Sequence, residues 1–190
     1  MQLAGQLETR VGRGLSQLAR LFALFGGLLL VALGAMTVVS ILGRRLFNQP
    51  IQGDYELVAN GCALAVFSFL PLCQLARSHV TVDLLVDRFS TRAKAVFGFL
   101  GDLLVTAASW IILRQLYLGF GEKFPYGSDA FRDAFKMGYK PFFAETTYEL
   151  EIPVWIPYGI AVIGSTLFFV VCLYTVWRSL NWVLAGREEL

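Results

Sequence analysis

An apolar run at residues 57–75 constrains the fold more than any other stretch, because charged residues bound it at both edges. As a helix it would rise roughly 28 Å, which is close to the thickness of a bilayer core. Three more runs of this kind occupy residues 21–42, 95–117 and 154–177. Hydrophobic residues make up 56% of the 190-residue chain and charged residues only 16%, against roughly 25% in soluble domains. These runs predict one all-α membrane domain over residues 1–190, with four transmembrane helices and short interfacial amphipathic helices.

The segments outside the four runs also carry a pattern. In residues 1–20, apolar residues recur every three or four positions: Leu3, Leu7, Val11, Leu15 and Leu18. This spacing favours an amphipathic helix on the membrane surface, although an extension of the first span fits it as well.

The long loop at 118–153 contains Phe131 and Phe135 one turn apart, which predicts a short amphipathic helix over 129–137. Contact with a soluble partner and a cover over the outer end of the bundle are both open for this loop.

Asp102 is the polar residue that most needs an explanation, because it lies about two turns inside the third run. An acid at this depth is either functional or paired with a base. We favour a pair with Arg77, His79 or Lys94 near the inner membrane edge. Elsewhere, Asp54 is expected to cap the second span. Three glycines of the first run, Gly26, Gly27 and Gly34, are expected to let another helix approach closely.

The Lys and Arg distribution gives the chain a predicted orientation. Nine of these residues fall in the two tails and the 77–94 elbow, whereas six fall in the 43–56 and 118–153 loops. Positive residues accumulate on the cytoplasmic side. We therefore expect both termini and the elbow in the cytoplasm, with the other two loops outside.

The sequence excludes several kinds of chemistry. It has one histidine, His79, so it holds neither a bis-histidine haem nor a histidine-rich metal site. It contains no GxSxG, HExxH or phosphate-binding loop. The net charge of +2 gives no case for nucleic acid, and the three cysteines in apolar runs are expected to be reduced core residues. We therefore predict a non-enzymatic subunit without cofactors, with membrane lipid around it.

Two motifs flank the second run in a way that resembles a known family. The first is GRRLFNQPIQGDYELV at 43–58, in which an Arg precedes an apolar-Asn-x-Pro segment and a Glu opens the span. The second is ARSHVTVD at 76–83, and a third, weaker likeness lies in IPVWIPY at 152–158. Together they resemble the DctQ-like small membrane subunit of tripartite ATP-independent periplasmic (TRAP) transporters. The chain departs from the family pattern just before the Glu, where Gly53, Asp54 and Tyr55 stand, and in its longer 118–149 loop.

The resemblance implies a role in secondary transport at the bacterial inner membrane. Its implied partners are a large multi-span permease subunit and a periplasmic substrate-binding protein, which together import an organic acid with an ion gradient. The chain itself would supply assembly contacts rather than a catalytic residue. The candidates for such contacts lie at the periplasmic edge, at the cytoplasmic edge and inside the third span: Arg44, Arg45, Glu56, His79, Asp83 and Asp102. A membrane anchor or scaffold for another complex is the alternative.

Overall fold

The fold was obtained as a computed structural model, which describes residues 5–77 and 91–185. These residues form five helices: α1 (Gly5–Phe47), α2 (Asp54–Leu75), α3 (Thr91–Lys123), α4 (Asp129–Ala134) and α5 (Trp155–Ala185). Four of them, all but α4, are long and apolar enough to cross a membrane. The predicted all-α membrane class is therefore confirmed.

The first helix differs from the preferred interpretation of residues 1–20. Instead of a separate surface helix, α1 continues from Gly5 through the apolar run to Phe47. Its first turns pack on α5, where the Asn181 amide donates to the Glu8 carboxylate at 2.7 Å. A side chain at Gly12 would overlap the Tyr174 ring. The side of α1 that carries Glu8 and Gly12 thus packs against α5. Tertiary packing of this kind stabilises a helix, so α1 continues through these residues.

The four long helices pack in the order α3, α5, α2, α1. α5 contacts α3 along its length and α2 on its other side, while α1 contacts mainly α2. In the most apolar stretch of α5, half of the residues are buried inside the chain, whereas in the corresponding stretch of α1 only 6% are buried. The core therefore lies around α5, and α1 presents most of its apolar surface outward.

Close approach of α1 and α2 depends on a single glycine of the predicted three. A Cβ at Gly26 would lie 2.9 Å from Cβ of Ser68 and 3.3 Å from the carbonyl oxygen of Ala65. At Gly27 and Gly34 no described residue lies within 4 Å of an added Cβ, so the helices of this chain make no close contact there, and a close contact with another subunit stays a prediction. The helix period explains the difference, because only one face of α1 meets α2.

The turn between α1 and α2 corrects the predicted role of Asp54. Asp54 is the first residue of α2 rather than its cap, and Gly53 precedes it in the left-handed conformation at φ 72°. A side chain at Gly53 would also overlap Leu150. The Asp54 carboxylate instead accepts a 2.5 Å hydrogen bond from Ser40 in α1, which ties the two helices together.

The long loop contains the predicted short helix, though α4 ends at Ala134 rather than near residue 137. The Ser128 hydroxyl caps it by accepting from the Phe131 amide at 3.3 Å. Lys136 then adopts a left-handed φ of 51°, which a helix cannot accommodate. Further along, the Thr147 amide donates to the Ile152 carbonyl at 2.9 Å, so the chain folds back on itself before α5.

Candidate functional site

Two polar clusters lie at opposite ends of the bundle. The inner cluster, at the end of the bundle where α1 begins and α5 ends, consists of Gln74, Arg77, Asp102, Thr175 and Ser179. In lipid, polar side chains of membrane helices turn toward one another, because hydrocarbon offers them no partner. The cluster therefore identifies the faces of α2, α3 and α5 that meet.

Asp102 is the centre of the inner cluster and accepts hydrogen bonds on both carboxylate oxygens. Gln74 Nε2 donates to Oδ1 at 3.1 Å, and Arg77 Nη2 donates to Oδ2 at 3.0 Å. The Ser179 hydroxyl donates to Oδ2 as well. The predicted pairing of Asp102 with a base is confirmed for Arg77. The carboxylate charge is thus compensated inside the chain.

The remaining contacts of the inner cluster link it to α5. Gln74 Nε2 also donates to the Thr175 hydroxyl at 2.9 Å, and Arg77 Nη2 donates to the Ser179 hydroxyl at 2.9 Å. Gln74, Thr175 and Ser179 are each at most 2% exposed. One carboxylate in α3 therefore connects the end of α2 to the inner half of α5.

Aromatic and small residues hold Arg77 in place. Its guanidinium lies 4.4 Å from the ring centroid of Trp182, a distance at which the ring attracts a cation. Gly98 in α3 faces it, and a Cβ at this glycine would lie 3.4 Å from Nη1. The Nε atom of Arg77 is buried without a hydrogen-bond partner among the described residues. These contacts favour a fixed structural pair over an exchangeable ion site.

The outer cluster joins the α1–α2 turn to the loop before α5. The Glu56 carboxylate accepts from the Glu149 amide at 2.7 Å and from the Leu150 amide at 3.2 Å. Reciprocally, Glu149 Oε2 accepts from the Gly53 amide at 2.6 Å. The two acids thus lie close together because each binds backbone N–H groups of the opposite segment.

Arg132 organises the rest of the outer loop from inside. It is 2% exposed, and its five guanidinium N–H groups serve six backbone carbonyls at 2.7 to 3.3 Å, with at least one hydrogen shared between two of them. These carbonyls belong to Gly121, Phe124, Tyr126, Met137, Gly138 and Tyr139. An ion pair between Lys123 and Glu145 joins the end of α3 to the loop. The loop is therefore an ordered cover on the outer end.

Several aromatic side chains of the same loop are exposed on its surface. Tyr139, Phe142 and Tyr148 are more than 90% exposed, and Phe143 is 78% exposed. Phe142 and Phe143 contact each other edge to face, with ring centroids 4.7 Å apart. Exposed aromatic clusters mark surfaces that meet a protein or a membrane interface.

The structure distributes the six predicted assembly residues between the two ends. Arg44 and Arg45 are exposed in the last turn of α1, where a positive charge suits the helix dipole. Glu56 belongs to the outer cluster and Asp102 to the inner one. His79 and Asp83 lie outside the described residues. An assembly role for these six residues stays a prediction.

Sequence reasoning missed most partners in both clusters. Thr175 and Ser179 stand four residues apart in an apolar helix, which is a signal for one polar face on α5. Arg132 has no comparable signal, because a base in a polar loop ordinarily faces water. Among the described residues, no group of three His, Cys, Asp or Glu side chains is arranged to hold a metal.

Comparison with known families gives one match. The family model described as tripartite ATP-independent periplasmic transporters, DctQ component, matches residues 33–181. The matched region includes α2, α3, α4 and most of α5, together with both polar clusters. No curated protein and no solved structure matches the chain.

Proposed function

The chain belongs to the DctQ family, the small component of TRAP transporters, and from this premise we propose that it supports the large permease subunit and helps to dock a periplasmic substrate-binding protein. The transporter imports an organic acid that carries a carboxylate, driven by an ion gradient. This chain lies in the bacterial inner membrane with both termini in the cytoplasm. The transport chemistry belongs to the other components.

The outward face of α1 is the observation that carries the support role. Leu28 and Val31 are 72% and 71% exposed, in the middle of the most apolar part of the helix. Apolar side chains gain little by contacting other apolar side chains instead of lipid, so helix association in membranes depends on shape. A broad apolar face that no described residue covers suits a second subunit packed beside it.

Exposed aromatic residues support the docking role. Tyr139, Phe142 and Tyr148 stand on a loop that Arg132 and Glu56 hold in place, so they are presented on a fixed base. Rigid aromatic side chains contribute strongly to protein interfaces at a low cost in conformational entropy. The predicted orientation puts this loop on the periplasmic side, where a soluble binding protein approaches.

The support role is tested by copurifying the large permease subunit with a tagged form of this chain. We expect Leu28→Trp to reduce the recovered permease, because a larger side chain would separate two packed helices. Leu104→Trp is the matched control, since Leu104 on α3 is also 72% exposed. Reduced recovery with the control alone would assign the permease contact to α3, and full transport by the permease without this chain would contradict the proposed support role.

The docking role is tested by measuring the affinity of the binding protein for the purified membrane complex. Phe142→Ala is expected to weaken binding by about thirtyfold, which corresponds to a hot-spot loss of about 2 kcal/mol. Ile163→Ala, an exposed apolar position within α5, is expected to have no effect. Equal affinities for both variants would place the docking surface elsewhere.

A further inference from the structure

A cleft opens between α1 and α5 at the end of the bundle where α1 begins and α5 ends. It has a volume of about 370 Å³. Its lining consists of Leu75 at the end of α2, Tyr174 and Arg178 of α5, and five residues of α1: Glu8, Thr9, Gly12, Arg13 and Ser16. Small-molecule sites in proteins span about 300 to 1,000 Å³. The cleft is therefore large enough for a small polar ligand.

Two arginines give the cleft its charge. Arg13 is exposed at its mouth, where its Nε donates to the carbonyl of Thr9 in the preceding turn at 3.4 Å. Arg178 is half-buried in the wall, between the rings of Tyr174 and Trp182 at 5.8 and 5.1 Å. Glu8, the one acid in the lining, is bound by Asn181 at 2.7 Å. The lining thus keeps one net positive charge.

Arg178 is incompletely satisfied within the chain. Its Nε atom is buried and has no hydrogen-bond partner among the described residues. Its Nη2 atom donates to the Leu75 carbonyl at a long 3.4 Å. Because Arg178 also lines the cleft, its guanidinium can donate to an acceptor that is bound there.

The position of the cleft along the helices matches the level of lipid head groups. On α1 it ends at Ser16, just before the apolar run begins, and on α2 it meets the final residue, Leu75. Leu24 lies 11 residues after Arg13, which puts it on the same face of α1 to within about 20°. It is 64% exposed. A chain descending from a head group at Arg13 would therefore meet an apolar path.

We propose that this cleft binds the phosphate head group of an anionic phospholipid, with Arg13 and Arg178 as the charged contacts and the Ser16 hydroxyl as a further donor. Arginine suits this ligand because its guanidinium presents parallel N–H groups to phosphate oxygens. The bound lipid would join the first turns of α1 to α5. Those helices make few other contacts with each other.

The test is native mass spectrometry of the full chain in detergent, alone or in the complex with which it copurifies. Phosphatidylglycerol, phosphatidylcholine and soluble glycerol phosphate are titrated separately. The first phosphatidylglycerol is expected to bind about fivefold more tightly than phosphatidylcholine, since one basic residue near a membrane surface contributes about a factor of five. Glycerol phosphate is expected to bind far more weakly, because it lacks the acyl chains.

Arg13→Gln is the decisive variant, since Arg13 is exposed and a substitution at an exposed position is expected to change stability little. It should remove the preference for phosphatidylglycerol, whereas Arg10→Gln, at an exposed position of the same helix outside the cleft, should keep it. Equal binding of both phospholipids to the wild type would overturn the proposal. An equal preference for phosphatidylglycerol in the two variants would also overturn it. If glycerol phosphate bound as tightly as the lipid, the cleft would be a site for free phosphate instead.

Discussion

Replacing Asp102 tests whether the inner cluster holds the helices together. In Asp102→Asn the side chain keeps its shape but loses its charge, so Arg77 and Ser179 face a neutral amide. A hydrogen bond to a charged group contributes about 1.5–3 kcal/mol. We expect a loss of about 2 kcal/mol in the free energy of unfolding.

Asp102→Leu should cost more, because it also removes the acceptor for Gln74. Removing one partner of a buried ion pair costs about 3–5 kcal/mol. The Arg77 side chain is 27% exposed, so solvent screens part of its charge and the lower end, about 3 kcal/mol, is expected. The double variant Arg77→Met/Asp102→Leu should recover part of this loss, since it leaves no unpaired charge behind.

The assay is thermal unfolding of the purified chain in detergent, followed by tryptophan fluorescence. For a chain of this size, about 1 kcal/mol shifts the midpoint by about 2–4 °C, so Asp102→Asn should unfold about 4–8 °C below the wild type. Glu122→Gln, which alters an exposed acid in the same helix, should leave the midpoint unchanged. If Asp102→Asn behaved like this control, the reasoning from the cluster would be wrong. A variant that assembles normally yet loses the cation dependence of uptake would give Asp102 a functional role.

Three further variants test the other contacts. Glu56→Gln should increase amide hydrogen exchange at Leu150 by about tenfold or more, because an amide oxygen cannot replace both acceptors of the carboxylate; unchanged exchange would show that the outer cluster does not hold the loop. Arg132→Lys should make the outer loop more sensitive to limited proteolysis, since three donors cannot serve six carbonyls, and wild-type resistance would refute that role. Gly26→Ala should destabilise the chain by about 1–3 kcal/mol in thermal unfolding by separating α1 from α2, whereas Gly27→Ala, which faces open space, should be neutral or slightly stabilising.

Hydropathy predicts the four spanning helices well because lipid leaves the backbone few choices. A helix satisfies its own N–H and C=O groups, so a long apolar run in a membrane protein has one ordinary outcome. The pairing of Asp102 with Arg77 follows from the same physics, since a carboxylate at that depth needs a cation nearby. The length of α1 does not follow, because the spacing of Leu3 to Leu18 fits both a surface helix and a continuous one.

The partners of Asp102 and Glu56 are harder to predict because each spanning helix carries only a few polar residues among apolar ones. The spacing of Thr175 and Ser179 indicates a polar face on α5, but it does not show which residue of another helix this face meets. The proximity of Glu149 to Glu56 is hard to predict for another reason. Two acids would be expected to repel each other, but each carboxylate binds backbone amides of the segment that carries the other acid. Arg132 likewise satisfies carbonyls that become neighbours only after the loop has folded.

The two clusters together explain how helices with smooth apolar surfaces find a unique arrangement. Apolar contacts between helices are hardly better than apolar contacts with lipid, so they define neither register nor partner. Asp102 fixes α2, α3 and α5 at one end, and Glu56 fixes the α1–α2 turn to the loop before α5 at the other. α1 is held by α2 and by contacts at its two ends, while the side of its apolar middle that faces away from α2 stays uncovered. The chain therefore defines its own fold with polar contacts at the ends and keeps a long apolar helix face available to a second subunit.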